Sequence, residues 1–281
     1  MILEIPTFLK WAGGKRRILD TLSPLFPTEV RRYFDPFLGG GSVFFFVQQQ
    51  YRPSFSMISD LNEDLINTYI DVRDNPAELL KSLKLFKKRD SEDFYYRTRK
   101  DFNAKKIIAV ERSAAFIYMN KTCYSGLFRV NSKNEFNVPY GRYKNAQVFD
   151  EGNILAASVL LQGVEIKHQD YRKILDLIEE DDFIYLDPCY DPIKKTSFVQ
   201  YTPERFSDND RTNLASFVTG AQLSGAKILL SNNNASKVRQ LYKKSSGFQL
   251  HRITAPRSLG ARVGADSEIV ELAIRNYTSV L

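Results

Sequence analysis

The stretch Phe183-Ile-Tyr-Leu-Asp-Pro-Cys-Tyr190 decides the fold of this chain and gives the first indication of its chemistry. Its first four residues form a short apolar run, as found in the central strands of a parallel sheet. Pro188 ends that strand, because proline has no N–H group and its ring fixes φ. A carboxylate, a backbone carbonyl and an aromatic ring are therefore presented together at the carboxyl end of a strand, where open α/β sheets bind their ligands.

This arrangement suits a flat base that carries an exocyclic amine. Asp187 and the carbonyl of Pro188 form a pair of hydrogen-bond acceptors, and the ring of Tyr190 offers a surface for stacking. A strand followed by an ordinary Asp-Pro turn explains the same residues equally well, so the rest of the chain has to decide between the two interpretations.

Composition favours a polyanionic partner. The chain of 281 residues contains 40 Lys and Arg against 33 Asp and Glu, and its 20 Phe and 15 Tyr include rings that are available to stack on bases. Its two cysteines, Cys123 and Cys189, have no metal-ligand spacing, which indicates a reducing compartment without disulfides or a bound metal. No apolar run has the length of a membrane span, so we expect a soluble cytoplasmic protein with no membrane partner.

Alternating strands and helices predict an α/β protein with a doubly wound, mostly parallel, Rossmann-like sheet. The predicted strands are Arg32–Phe34, Phe55–Asp60, Val164–His168, Phe183–Leu186 and Lys227–Leu230, followed by a β-pair near Leu250–Ile253 and Glu268–Ile274. Predicted helices include Arg16–Leu22, Tyr171–Ile178, Asp208–Leu223 and Ser236–Tyr242. Residues 62–144 interrupt the alternation as an insertion, which is helical at first and then forms a β-hairpin around Asn131-Ser-Lys-Asn134.

Two further features suggest a nucleotide-type pocket. Gly39-Gly-Gly41 lies between a strand and a helix, and Asp60 follows about twenty residues later at a strand end, where an acid can hold a ribose diol. The glycines lack the dinucleotide spacing, and a plain glycine-rich turn explains them as well. Asp170 follows another strand and could reach the edge of an adenine, or it could be the N-cap of a helix that begins at Tyr171.

Taken in order along the chain, these segments resemble the Dam-type (D12 class, alpha-group) DNA adenine methyltransferases over essentially the whole sequence. The matching segments are Phe8-Leu-Lys-Trp-Ala-Gly-Gly-Lys15, Asp35-Pro-Phe-Leu-Gly-Gly-Gly41, Asp60 and Asp187-Pro-Cys-Tyr190, with Tyr124–Arg129 and Phe136–Lys144 resembling the recognition hairpin. The resemblance implies methyl transfer from S-adenosyl-L-methionine to an adenine flipped out of double-stranded DNA, within GATC, with S-adenosylhomocysteine as product. Residues 1–61 and 145–281 would then form the catalytic domain and residues 62–144 the target-recognition domain.

The resemblance also assigns roles to individual residues. The catalytic residues would be Asp187, Pro188 and Tyr190. The cofactor-binding residues would be Trp11 and Lys15 at the methionine end, Phe37, Gly39 and Gly41 in the glycine loop, Asp60 at the ribose, Asp170 and Tyr171 at the adenine, and Asp187 itself. A core anchor is the alternative for Trp11.

For DNA binding, the resemblance implies readout by the hairpin. Arg129 and Lys10 would contact guanines, Leu127 and Pro139 a thymine methyl group, and Tyr124 would wedge into the base stack. A loop with Lys194, Phe198 and Tyr201 would close over the flipped base. Local packing of the hairpin and an ordinary solvated loop are the respective alternatives.

One residue departs from the family pattern, because Cys189 stands where the family has a second proline. This change removes no catalytic atom, so we expect an active enzyme that acts as a monomer at the nucleoid of a prokaryote or phage host. The competing hypotheses are a catalytically weak DNA-binding protein on the same scaffold and an RNA adenine methyltransferase. The sequence does not decide between an orphan enzyme and part of a restriction-modification pair.

Overall fold

The structure, a computed structural model, describes residues 4–188, 208–234, 236–243, 247–255 and 269–278. Its centre is a seven-stranded sheet in the order β3-β2-β1-β4-β5-β7-β6. The strands are β1 Arg32–Asp35, β2 Phe55–Asp60, β3 Glu165–His168, β4 Phe183–Leu186, β5 Lys227–Asn233, β6 Gln249–Ala255 and β7 Ile269–Arg275. Strands β1 to β5 pair parallel with one another, whereas β7 pairs antiparallel with both β5 and β6. This sheet confirms the predicted fold class.

The described residues also form helices on the sheet and in the insertion. The α-helices are α1 Leu19–Leu22, α2 Ser42–Tyr51, α3 Glu63–Asp74, α4 Pro76–Arg89, α5 Glu92–Asn103, α6 Ala109–Thr122, α7 Glu151–Leu160, α8 Asp208–Leu223 and α9 Ser236–Lys243. Short 3₁₀ helices span Lys15–Ile18, Ser23–Leu25, Tyr124–Gly126 and Tyr171–Leu177. Within this part of the chain, no helix is both long and apolar enough to cross a membrane.

Strand order fixes where a site can form. All four residues of β4 are buried, as its apolar sequence predicts, and β4 lies directly beside β1. The chain moves from β1 to β2 and β3 on one side, then returns to β4 and continues to β5 on the other. The carboxyl ends of β1 and β4 therefore meet at the topological switch point, the usual ligand position in open α/β sheets.

The insertion is joined to the sheet by a continuous apolar core. Helix α3 contacts strands β2 and β3 and also helix α6. The buried apolar residues of α6 belong to the same core as Tyr33 of β1 and the buried apolar residues of α2. The insertion therefore packs as an extension of one sheet face.

The predicted hairpin is present as separate antiparallel bridges rather than as two regular strands. Val130 pairs with Phe136, and Cys123 pairs with Tyr140. Asn131 shapes the turn between them, because its Oδ1 accepts hydrogen bonds from the N–H groups of Lys133 and Glu135 at 2.9 and 3.0 Å.

The predicted helices differ from the observed ones mainly at two short segments. The predicted helix Arg16–Leu22 is a 3₁₀ turn followed by one α-helical turn, since Gly14 provides no side-chain cap and Pro24 follows soon after. The segment after Asp170 is also a 3₁₀ helix. The other predicted strands and helices agree to within a few residues.

The glycine loop generates a prediction about stability. Gly41 has φ +67°, and an added Cβ would lie 2.5 Å from the Tyr69 hydroxyl, whereas Gly163 has φ +73° with open space around it. We expect Gly163→Ala to cost only the left-handed strain of about 1–2 kcal/mol. Gly41→Ala should cost roughly 1–3 kcal/mol more, because of the steric conflict.

Urea denaturation of both variants measures this difference in the free energy of unfolding. Equal losses in the two variants would contradict the tight packing of Tyr69 over the glycine loop.

Candidate active site

Three acids from neighbouring strands gather at the carboxyl edge of the sheet. Asp35 ends β1, Asp60 ends β2, and Asp187 follows β4. Asp35 is 2% exposed, while the Asp187 side chain keeps 20% of its surface exposed. The edge thus combines one fully buried carboxyl group, that of Asp35, with the partly exposed carboxyl groups of Asp60 and Asp187.

The ammonium group of Lys15 is buried beside Asp187 and a fourth acid, Glu271 of β7. Its Nζ lies 2.8 Å from Oδ1 of Asp187 and 3.8 Å from Oε2 of Glu271, and it donates a hydrogen bond of 2.9 Å to the carbonyl of Gly13. The side chain is only 3% exposed, so the two carboxylates compensate a charge that water cannot reach. Burial raises the pKa of Glu271, with the charge of Asp187 adding to the shift and Lys15 opposing it.

Asp35 is the acid that is kept from ionising. Burial is the main reason that its pKa rises to about 8, and the charges of Asp187 and Asp60 add to the shift while a hydrogen bond from Tyr33 opposes it. The Tyr33 hydroxyl donates to Oδ2 at 3.1 Å. Among the described residues, the buried Oδ1 has no partner of standard hydrogen-bond geometry. A buried acceptor of this kind fits a ligand ammonium, such as that of an amino-acid moiety.

Asp60 is tied to the glycine loop. It accepts hydrogen bonds from the backbone N–H groups of Gly39 at 3.1 Å and Asn62 at 3.0 Å. Burial raises its pKa, although these backbone donors oppose the shift. Each carboxylate oxygen can accept a second hydrogen bond, so the geometry fits the hydroxyl groups of a ribose.

Trp11 fills the space that the glycines leave. A Cβ added at Gly39 or Gly40 would lie 2.8 or 2.9 Å from the Trp11 side chain. On its other side the indole stacks on Phe128 of the hairpin, with the ring centroids 5.4 Å apart and the planes 16° from parallel. The half-buried Trp11 is thus both a wall beside the glycine loop and a packing anchor.

Asp170 is the N-cap of the 3₁₀ helix that begins at Tyr171, which was the alternative interpretation of this residue. Its side chain accepts from the N–H of Arg172 at 2.9 Å and also pairs with that arginine's guanidinium. Tyr171 is buried next to Phe37, with the ring centroids 5.1 Å apart. Asp170 lies near Asp60, because β3 pairs with β2 and the N–H of Gln169 donates to the Asp60 carbonyl.

The predicted DNA-binding residues lie on or beside the hairpin. Arg129 is half-buried and donates from Nε to Oδ1 of Asn137 at 2.8 Å. Tyr124 and Pro139 are exposed, and Leu127 is half-buried. Lys10 belongs to a distant part of the sequence, yet its side chain contacts Gly126 and its ammonium lies 5.4 Å from the ring centre of Tyr143.

Some predicted residues fall outside the described part of the chain. They are Cys189, Tyr190, Lys194, Phe198 and Tyr201. In the part that is described, no group of three or more His, Cys, Asp or Glu side chains is arranged to hold a metal ion.

Sequence reasoning missed two members of the site. Asp35 could have been predicted from the sequence, because Asp35-Pro36 repeats the Asp187-Pro188 pattern at the end of the neighbouring strand. Glu271 was harder to predict, because its only indication is that it is the single acid of a largely apolar strand.

Comparisons with known proteins identify the family of the chain. The model of the D12 class N6 adenine-specific DNA methyltransferase family matches residues 11–259. The chain is 41% identical to the type II methyltransferase M.MjaIII of Methanocaldococcus jannaschii, over 98% of this chain and 100% of that protein. It is 36% identical to the type II methyltransferase M1.LlaDCHI of Lactococcus lactis subsp. cremoris, over 98% and 96% of the two chains. A DNA adenine methylase of Haemophilus influenzae is 33% identical, over 94% and 91%.

These matches confirm the resemblance found in the sequence. The chain belongs to the D12 class of N6 adenine-specific DNA methyltransferases.

The raised pKa of Asp35 generates a prediction about pH. Folded Asp35 stays protonated up to about pH 8, whereas an unfolded aspartate ionises near its ordinary value of 3.8. Protonated Asp35 therefore contributes its whole share of the free energy of unfolding below pH 3.8, and this contribution is lost as the pH rises to about 8. Asp35→Asn cannot ionise, so its stability relative to wild type should increase over that range and then level off.

Thermal unfolding of the protein without ligand, at a series of pH values, measures this relative stability. We expect a gain of at least about 1 kcal/mol near pH 8, or roughly 2 °C in Tm. Asp20→Asn, at an exposed acid, should show no such trend. A stability difference for Asp35→Asn that is constant with pH would contradict the account.

Proposed function

We propose that this enzyme transfers a methyl group from S-adenosyl-L-methionine to N6 of an adenine within GATC in double-stranded DNA. The observation that carries the proposal is the position of Asp187. Its carboxylate lies at the switch point of the sheet, beside the acids that end β1 and β2, with Oδ1 engaged by the buried Lys15. Membership of the family gives adenine in DNA as the substrate, whereas the cofactor and the target sequence are part of our proposal.

The chemical task at Asp187 is to activate a poor nucleophile. The lone pair of the adenine amine is delocalised into the ring, so attack requires the nitrogen to move towards sp³ geometry. Asp187 and the carbonyl of Pro188 can each accept one amine hydrogen and thereby orient the lone pair. Lys15 holds the carboxylate in place for this contact, since a buried ion pair restricts its rotamer.

The bound cofactor supplies an activated methyl group on a sulfonium. The residues that would hold it surround the glycine loop. Asp60 has the acceptor capacity for ribose hydroxyls, and the buried Oδ1 of Asp35 suits an ammonium group. We further propose Phe37, Asp170 and Tyr171 at the adenine ring and Trp11, Lys15, Gly39 and Gly41 along the methionine part.

The target base is inaccessible inside a duplex, so the proposal requires base flipping. Tyr190 would stack on the flipped adenine, and the loop with Lys194, Phe198 and Tyr201 would close over it. Tyr124 is 62% exposed, which suits a ring that enters the gap left in the base stack.

Sequence readout is assigned to the hairpin and to Lys10. The hydrogen bond from Arg129 Nε to Asn137 orients the guanidinium, and its terminal amino groups suit the O6 and N7 acceptors of guanine. Lys10 borders the same surface through its contact with Gly126. Leu127 and Pro139 suit the thymine methyl group of GATC.

Replacing Asp187 tests the catalytic assignment. Asp187→Ala should reduce the rate of adenine methylation by at least about a hundredfold, the lower range for loss of a positioned catalytic group. Duplex binding should be largely retained, because phosphate contacts dominate affinity.

Single-turnover methylation and a binding titration measure the two effects separately. The matched control is Asp181→Ala, an exposed acid just before the amino end of β4, which should leave the rate unchanged. A near-wild-type rate for Asp187→Ala would overturn the assignment.

Replacing Arg129 tests the recognition assignment. A bidentate contact from arginine to guanine contributes about 1–3 kcal/mol of discrimination. Arg129→Ala should therefore relax the requirement for the guanine of GATC more than it weakens binding to unrelated duplexes.

Methylation kinetics on duplexes with single substitutions in GATC give the measurement. Arg31→Ala is the control, because this exposed residue precedes β1 at the opposite edge of the sheet. Uniform loss on every duplex would identify Arg129 as a phosphate contact. A wild-type preference for another sequence would remove GATC from the proposal and leave methyl transfer to adenine intact.

A further inference from the structure

Glu271 is a half-buried acid of the site to which the reaction outlined above gives no role. It lies on β7, in register with Asn233 of β5 and Ile253 of β6, and its side chain is 18% exposed. Its Oε2 atom is buried and lies 3.8 Å from Nζ of Lys15, the same ammonium that contacts Asp187. A glutamate in the middle of a buried strand is costly unless a partner compensates it.

We propose that Glu271 is a positioning residue for methyl transfer: it shares the Lys15 ammonium with Asp187 and so keeps Asp187 available to the substrate amine. The inference rests on the function proposed above, because it takes Asp187 as the group that orients the amine.

The ammonium group of Lys15 links the two carboxylates. An ammonium group has three N–H donors. Nζ donates to the carbonyl of Gly13 at 2.9 Å and lies 2.8 Å from Oδ1 of Asp187, while Oε2 of Glu271 is 3.8 Å away, within ion-pair distance. With Glu271 in place, the ammonium is held between two negative groups from different strands. Without the charge of Glu271, the attraction of the ammonium to Asp187 is no longer opposed from β7. The Asp187 carboxylate is then held more tightly by Lys15 and is a weaker acceptor for the substrate amine.

The charged and titratable groups that face Glu271 are few in the described part of the chain. They are Lys15 from the amino-terminal segment, Asp187 after β4 and the hydroxyl of Tyr185 within β4. Since burial and Asp187 raise the pKa of Glu271, protonation of this residue should occur at higher pH than for an ordinary glutamate.

The experiment compares the methylation rate of wild type and Glu271→Gln over a range of pH, from about 8 down to about 5. Glutamine has nearly the same shape but no charge, so it mimics a protonated Glu271. We expect kcat to fall about tenfold near pH 8, which corresponds to 1.4 kcal/mol, with little change in KM for DNA. The ratio of the two rates should approach one at acidic pH, because wild type then also loses the charge. A purely structural role would lower the rate by a factor that does not change with pH.

Further variants complete the test. Glu271→Asp retains the charge and should recover part of the rate lost in Glu271→Gln, while Glu165→Gln, at an exposed glutamate of β3, should behave as wild type. If Glu271→Gln does not fold, Glu271→Asp decides alone. Its shorter side chain draws the carboxylate back from Lys15, so its kcat should lie below that of wild type near pH 8 and converge with it at acidic pH.

The outcomes separate the inference from the proposed function. A wild-type protein that methylates no adenine refutes the proposed function and removes the basis of the inference. An active wild type with a Glu271→Gln variant of equal rate refutes only the role of Glu271. A lowered rate with a ratio that stays constant with pH refutes it as well.

Discussion

The buried ammonium of Lys15 is the interaction on which the site depends. A lysine that is 3% exposed is stable only where negative groups compensate its charge. Here one carboxylate, that of Asp187, follows β4, and the other, that of Glu271, lies within β7. The ion pairs fix the amino-terminal segment against the carboxyl edge of the sheet. They also determine the position of Asp187, the group that the proposed reaction uses. The same ion pairs therefore stabilise the packing of the amino-terminal segment and orient the carboxylate that the proposed reaction uses.

The same amino-terminal segment connects the site to the hairpin. The backbone N–H and C=O of Lys10 form two hydrogen bonds of 2.8 Å with the side chain of Asn120 in α6. The next residue, Trp11, lies between the glycine loop and Phe128. The hairpin, Trp11 and the glycine loop are therefore in continuous contact.

Local patterns in the sequence were sufficient to predict much of the fold. The buried strand Phe183–Leu186 and the helix Asp208–Leu223 have the observed bounds, because apolar runs and turn residues mark them clearly. The position of β7 between β5 and β6 was not predicted, since the order of strands in a sheet depends on long-range connections rather than on local sequence pattern. The 3₁₀ helix after Asp170 was likewise beyond a periodicity argument.

The site was predictable where a motif is continuous and unpredictable where partners meet only in the folded chain. Asp187 and Asp60 could be identified from strand ends and turn residues. The contact of Lys15 with Glu271 and the stack of Trp11 on Phe128 join residues far apart in sequence, so no local signal could pair them. The protonated state of Asp35 also depends on burial, which only the packed structure supplies.

The central claim is that the carboxyl edge at β1 and β4 performs methyl transfer to N6 of adenine. The most direct measurement is to incubate the wild-type protein with an unmethylated plasmid and S-adenosyl-L-methionine that carries an isotopically labelled methyl group. The DNA is then digested to nucleosides, and each labelled product is identified by mass spectrometry. The account predicts label in N6-methyladenine alone. Label in a cytosine product, or no label in DNA at all, would contradict it.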